Sequence, residues 1–192
     1  MKMLKSGLLA GLFLLSACSQ PAAEAQRGGG GVIKAINHTH WAINNFSVDG
    51  QSGIDAIGPF DGGGGGCCYG VPKQWRPGMT VRIDWERGVA FAKDVPSIPE
   101  PIRPVEGTQD YDVWKKYYEE KKQWFREIKK LSRQFSQFIP VPDYTGQKTC
   151  GITVHFMPCD KVKVTTSCWA PGNANYPIKE PLKMKEPKVC PM

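Results

Sequence analysis

Nowhere does this chain carry an apolar run long enough to cross a bilayer as a stable helix; the run near its start, Leu8 to Leu15, is far too short. Histidine is scarce, with three residues, His38, His40 and His155. No C-x2-C pair occurs, and no cysteine has a histidine at zinc-finger spacing, which removes the usual zinc sites. His38 and His40 can share a strand face, but no carboxylate or third histidine stands near them in sequence. They read as surface turn residues. Serine and cysteine nucleophiles lack a G-x-S-x-G elbow and an evident histidine partner. The five-glycine run Gly62 to Gly66 is not followed by Gly-Lys-Ser/Thr, so it is no phosphate loop. These absences leave no catalytic constellation, no metal site and no cofactor. The expectation is a protein that is not an enzyme.

What is present begins at the N-terminus. Lys2 and Lys5 precede the short apolar run, and Leu15-Ser16-Ala17-Cys18 closes it. That order resembles a bacterial lipobox, in which a signal peptidase cuts before the cysteine and its thiol and new amino group become acylated. Several acyl chains on one residue meet the requirement for stable anchoring. In Gram-negative lipoproteins an aspartate after the acylated cysteine holds the protein at the inner membrane. Here that residue is Ser19, so the resemblance implies the outer membrane and its periplasmic face. Residues 1–17 read as signal peptide and 18–31 as a lipidated, flexible tether of roughly 20 Å reach. Residues 32–192 form one globular domain, long enough for a real core. Net charge is +7, and loss of Lys2 and Lys5 leaves +5. A basic surface suits anionic head groups or an acidic protein partner. Nucleic acid does not fit an exported lipoprotein.

Six cysteines remain besides Cys18: Cys67, Cys68, Cys150, Cys159, Cys168 and Cys190. In an oxidising compartment an even count reads as disulfides, here with fifteen connectivities open. Residues 150–168 narrow the choice. Folded as a hairpin about Met157-Pro158-Cys159-Asp160, Cys150 faces Cys168, Val154 faces Val164 and Phe156 faces Val162. The apolar side chains then share one face, while Thr153, His155, Lys161, Lys163 and Thr165 share a polar one. A Cys150–Cys168 bridge follows, and Cys159 must reach Cys67, Cys68 or Cys190. Cys67 and Cys68, in a tight glycine-rich loop, are expected to enter two different bridges; the alternative is a redox-active adjacent pair, which the C-x-x-C pattern of thioredoxin-like motifs does not match.

Val32 to Asn37 and Ala42 to Asp49 are β-like runs, and Asp49-Gly50 is a turn signal. Residues 50–66 look irregular. Trp75-Arg76-Pro77-Gly78 predicts a type II turn. It leads into a strand with Met79, Val81, Ile83 and Trp85 on one face. A linker with Pro96, Pro99, Pro101 and Pro104 follows. From Thr108 to about Phe138 apolar residues recur by threes and fours, which predicts a helix of about 30 residues capped by Thr108 or Asp110 and stopped by Pro140. Its lysine-rich face reads as the solvated side of a helix packed on a sheet, or, as the second reading, as a basic surface that docks on a partner or lipid. The fold class is α+β: an antiparallel sheet or small sandwich of five to seven strands, disulfide-stapled, with one long inserted amphipathic helix.

Taken together, Asn37-His38-Thr39, Phe46-Ser47-Val48-Asp49-Gly50, Gly62 to Gly66 with Cys67-Cys68, Val71-Pro72, and Trp75-Arg76-Pro77-Gly78-Met79 leading into the Val81 to Trp85 strand resemble a family of proteobacterial lipoproteins, domain-of-unknown-function family 3304. Members stand beside type VI secretion effectors, notably phospholipases of the α/β-hydrolase class. The resemblance therefore implies an immunity protein that binds and blocks a toxic secreted lipase. The alternative is a structural or assembly lipoprotein of the envelope with no toxin partner. It transfers no catalytic residue. Candidate partner-binding residues are Trp114, Lys122, Trp124 and Lys129 on the helix and Gly62, Gly64 and Gly66 in the glycine run.

Overall fold

The computed structural model describes residues 30–190. The proposed signal peptide, Cys18 and all of the tether before Gly30 lie outside the described residues. Among the described residues eight strands form two four-stranded sheets, and one α-helix is inserted in the second. The strands are β1 (Gly31–Asn37), β2 (Ala42–Val48), β3 (Gln51–Ser52), β4 (Gly62–Tyr69), β5 (Thr80–Gly88), β6 (Arg133–Pro140), β7 (Thr149–Met157) and β8 (Lys161–Ser167). The first sheet runs β4-β1-β7-β8 and the second β3-β2-β5-β6. All neighbours are antiparallel except β1 and β7, which pair in parallel from Val32↔Gly151 to Asn37↔Phe156.

Period-2 patterning explains which faces meet. Ile33, Ala35, Ile152, Val154 and Phe156 from the first sheet pack with Ile43, Phe46, Val48, Val81, Ile83 and Trp85 from the second in one buried cluster. The Phe156 ring meets Phe46 edge-on at 5.6 Å between centroids and lies 5.8 Å from Trp85, so it spans the two layers. The local signals in the sequence form as expected. Asp49 (φ 50°) and Gly50 (φ 81°) turn β2 into β3, and Pro77-Gly78 (φ 81°) turns the chain into β5, with Met79 N–H donating to the Arg76 carbonyl at 3.2 Å.

Several expectations need correction. The helix, α1, spans only Tyr111–Lys129. Asp110 caps it by accepting from the Asp112 and Val113 amides. The apolar recurrence that continues through Phe135 and Phe138 belongs to β6. Phe135 stacks on Trp85 at 5.0 Å and Ile139 is buried, whereas Phe138 points outward and is 71% exposed. Pairing with the open edge of β5, from Thr80↔Pro140 to Arg87↔Arg133, outweighs helical spacing there. The glycine run is a strand, not an irregular loop. β4 passes so close to the second sheet that a Cβ on Gly66 would lie 2.3 Å from the Ser52 carbonyl oxygen, and Gly64 has φ +103°. Finally, the polar face of the β7–β8 hairpin is solvated only in part: Lys161 and Lys163 are exposed and Thr153 is half-buried, but His155 and Thr165 are buried. The Val154↔Val164 and Phe156↔Val162 pairs hold, and the register shifts between Thr149 and Thr153.

Three disulfides staple the fold: Cys150–Cys168, Cys159–Cys190 and Cys67–Cys68. The last corrects the expectation of two separate bridges. Val32 pairs with Cys67 and Gly31 with Tyr69, so Cys68 is the extra residue of a bulge and its side chain turns back to its neighbour.

Residues 89–132, between β5 and β6, form an arm. Its extended limb runs back along α1: Trp124 Nε1–H donates to the Ile98 carbonyl at 3.0 Å, Lys121 pairs with Glu100, and Trp114 Nε1–H donates to the Thr108 carbonyl at 2.8 Å. Ile128 is the one residue of α1 that is buried. The arm thus packs mainly on itself. Replacing residues 89–132 by a short Gly/Asn turn should leave the two sheets folded and cost about 2 kcal/mol, the burial of Ile128. Chemical denaturation with near-UV circular dichroism checks this; loss of cooperative unfolding would contradict it.

Candidate functional site

Asn37 ends β1 and sends the chain towards the second sheet. It is fully buried, and its side chain is saturated. Nδ2 donates to the Trp41 and Gly58 carbonyls at 2.6 and 2.9 Å, and Oδ1 accepts from the Thr39 amide and hydroxyl at 3.0 and 2.8 Å. This explains why Asn-His-Thr stands at the crossover: an amide side chain mimics a backbone turn and satisfies four buried groups. His38, expected at the surface, is 2% exposed. His40 is half-buried and lies beside the Trp41 ring at 4.4 Å between centroids.

His38 meets His155 of β7 under the C-terminal segment that follows β8. His38 Nδ1 is 2.8 Å from the Pro181 carbonyl oxygen, His38 Nε2 is 2.8 Å from His155 Nδ1, and His155 Nε2 is 2.6 Å from the Tyr176 hydroxyl. The proton positions follow from one end. A carbonyl only accepts, so His38 Nδ1 carries hydrogen. Neutral His155 has one donor and one acceptor nitrogen, so it links His38 Nε2 to the Tyr176 hydroxyl with both of its ring nitrogens in use. Burial, helped by the neighbouring His38, pushes the His155 pKa from 6.5 down to about 3, and burial raises Tyr176 to about 12. Every nitrogen is used, so the chain acts as a clamp that holds residues 176–184 on the first sheet. Met184 N–H donating to the His38 carbonyl at 3.0 Å and the Lys163–Glu180 ion pair complete it. A cleft of about 620 Å³ opens beside the clamp, lined by Ile36, Asn173, Tyr176 and Leu182.

Other carboxylates are committed in the same way. Glu86 accepts from Asn44 at 2.7 Å and Gln134 at 2.6 Å, and the Asn44 amide holds its carboxyl below the usual range. The Ser136 hydroxyl does the same for Asp84. Arg87 pairs with Asp160 at 2.5 Å and lies over the Trp41 and Phe135 rings, joining the two sheets at one end.

The sequence-selected binding residues separate into two sets. Trp114 and Trp124 spend their indole N–H groups on the arm's own limb and are half-buried there. Lys122 and Lys129 are exposed. Gly62, Gly64 and Gly66 are paired with β1 opposite Ile36, Lys34 and Ile33. The open surface that the sequence reading missed is the far end of the arm, where Ile102 is 93%, Val105 80% and Tyr111 74% exposed. Three large apolar side chains around a proline-rich bend were the available signal.

The clamp makes stability pH-dependent with a definite sign. The depressed His155 pKa contributes stability that is complete above pH 6.5 and is lost as pH falls towards 3. At pH 5 the loss should be about 2 kcal/mol. Urea midpoints measured from pH 8 to 4 should fall for the native protein and stay flatter for His155→Gln; parallel curves would contradict the clamp.

No curated protein and no solved structure matches the chain. One family model does, over residues 36–164, which takes in the buried crossover, β2 to β7, the arm and part of β8. The chain belongs to that family, described as proteins of unknown function, DUF3304.

Proposed function

We propose that this protein is a lipoprotein, anchored through Cys18 on the periplasmic face of the outer membrane, that binds and neutralises a phospholipase delivered by type VI secretion. The lipobox-like order ending at Cys18 and the family resemblance support the address and the class of partner. The observation that carries the binding role is the arm. Residues 89–132 give the core almost nothing beyond Ile128, yet the arm carries Ile102 and Val105 on its extended limb and Tyr111 at the start of α1, about 28 Å along the helix from Lys129. Isolated exposed apolar residues are ordinary; three so exposed on one self-supported segment support its reading as a contact surface. A phospholipase must hold acyl chains in an apolar cleft, and an apolar projection complements such a cleft. Tethering to the membrane on which that enzyme acts raises the local concentration of the inhibitor.

Purified mature protein should form a complex with the lipase encoded beside it and abolish hydrolysis of a monomeric, soluble ester. The Ile102→Asp/Val105→Asp variant should weaken that complex by at least about a hundredfold, as removal of central apolar anchors does, with the thermal midpoint unchanged. Isothermal titration in solution reads both. A folded protein that neither binds nor inhibits the lipase would leave the structural lipoprotein reading in its place.

A further inference from the structure

The long side of α1 carries a second pattern. Lys115, Tyr118, Lys122, Phe125 and Lys129 follow one another at spacings of three, four, three and four, so all five fall within about 80° of helical arc. All are solvent-exposed, Tyr118 at 61% and Phe125 at 56%. The helix's acidic residues, Asp112, Glu119, Glu120 and Glu127, fall outside that arc. Ion pairing separates the lysines in the same way. Those off the face are matched: Lys116 with Glu120, Lys121 with Glu100 and Lys130 with Glu127. Lys115 and Lys122 make no ion pair among the described residues. Lys129, at the base, helps hold the Glu86 carboxyl low without a contact pair. The adjoining stripe of Trp114, Lys121, Trp124 and Ile128 is taken up by the arm and the body, so this face is presented outward.

We propose that this face docks on an anionic phospholipid surface. Its chemistry fits a bilayer interface at both levels. Lysine ammonium groups reach phosphates while their stems lie along the apolar boundary, and Tyr118 and Phe125 seat rings at head-group depth. The face is cationic over roughly 21 Å, from Lys115 to Lys129, long enough to meet several head groups at once. An acidic protein would meet the same charges, but nothing in this regular alternation of lysine and ring forms a shaped pocket for one. The proposal rests on the membrane-tethered placement argued above. It adds that the arm lies along the lipid, which sets its apolar end at the surface where a phospholipase opens its cleft.

The test uses the mature chain with Cys18→Ser, so that no acyl chain contributes, and vesicles of phosphatidylcholine with or without 30% phosphatidylglycerol. Co-sedimentation should show binding to the anionic vesicles at least about tenfold stronger than to the neutral ones, weakening as salt rises. Lys115→Glu/Lys122→Glu/Lys129→Glu should reduce it about a hundredfold with far-UV circular dichroism unchanged. Tyr118→Ser/Phe125→Ser should reduce binding while keeping the salt dependence. Equal binding to both vesicles, or a charge-reversed variant that binds like the native chain, would overturn the proposal. So would a charge-reversed variant that keeps its vesicle binding and loses the lipase, which would make the face a protein contact. The lipase titration is run without vesicles, so the two readings fail separately.

Discussion

The pairing of β5 with β6 is the constraint on which the rest of this molecule depends. Eight successive residues, from Thr80↔Pro140 to Arg87↔Arg133, are matched across a connection of more than forty residues. Closing so long a loop costs entropy before any contact forms, and the cost grows only slowly with length. The strand pair offsets it with a continuous ladder and with Trp85 stacked on Phe135. Once that register is set, the intervening chain has its two ends side by side at one end of the second sheet. It is then free to fold as an arm without disturbing the core.

The first sheet is organised by a different device. β1 and β7 are parallel, which requires a crossover, and the buried Asn37-His38-Thr39 turn is where the chain leaves one layer for the other. A buried asparagine with all its hydrogen-bonding capacity used fixes the path, since any displacement would strand several polar groups at once. His38 then passes the constraint through His155 and Tyr176 to the C-terminal segment, and Cys159–Cys190 closes the same segment covalently. The body is thus tied down around its ends, while the arm carries Ile102, Val105 and Tyr111 with most of their surface in solvent.

Much of this was legible in the sequence where local chemistry decides. The turns at Asp49-Gly50 and Pro77-Gly78, the alternating strand at Val81 to Trp85 and the Cys150–Cys168 pairing follow from positive-φ preference, period and register. What escaped was set by tertiary competition. Phe135 and Phe138 sit at helical spacing from Trp124 and Ile128, and only the unpaired edge of β5 decides for a strand. The glycine run gives no strand signal, because its glycines are there for close approach to β1 and Ser52, and propensity says nothing of a neighbour's distance. His38 and His155 looked like surface polar residues because the segment that buries them comes from the far end of the chain. On the arm, lysines and tryptophans were visible as a basic, aromatic helix, but which of them were free depended on where the proline-rich limb packed.

The central claim is that recognition resides in the arm and the sheets serve as its mount. Hydrogen–deuterium exchange of the mature protein, alone and with the proposed lipase partner on anionic vesicles, tests this most directly. The account predicts new protection confined to residues 98–129, with the exchange of β1, β2, β5 and β7 unchanged. New protection along β4 or across the first sheet, with the arm exchanging as in the free protein, would contradict it.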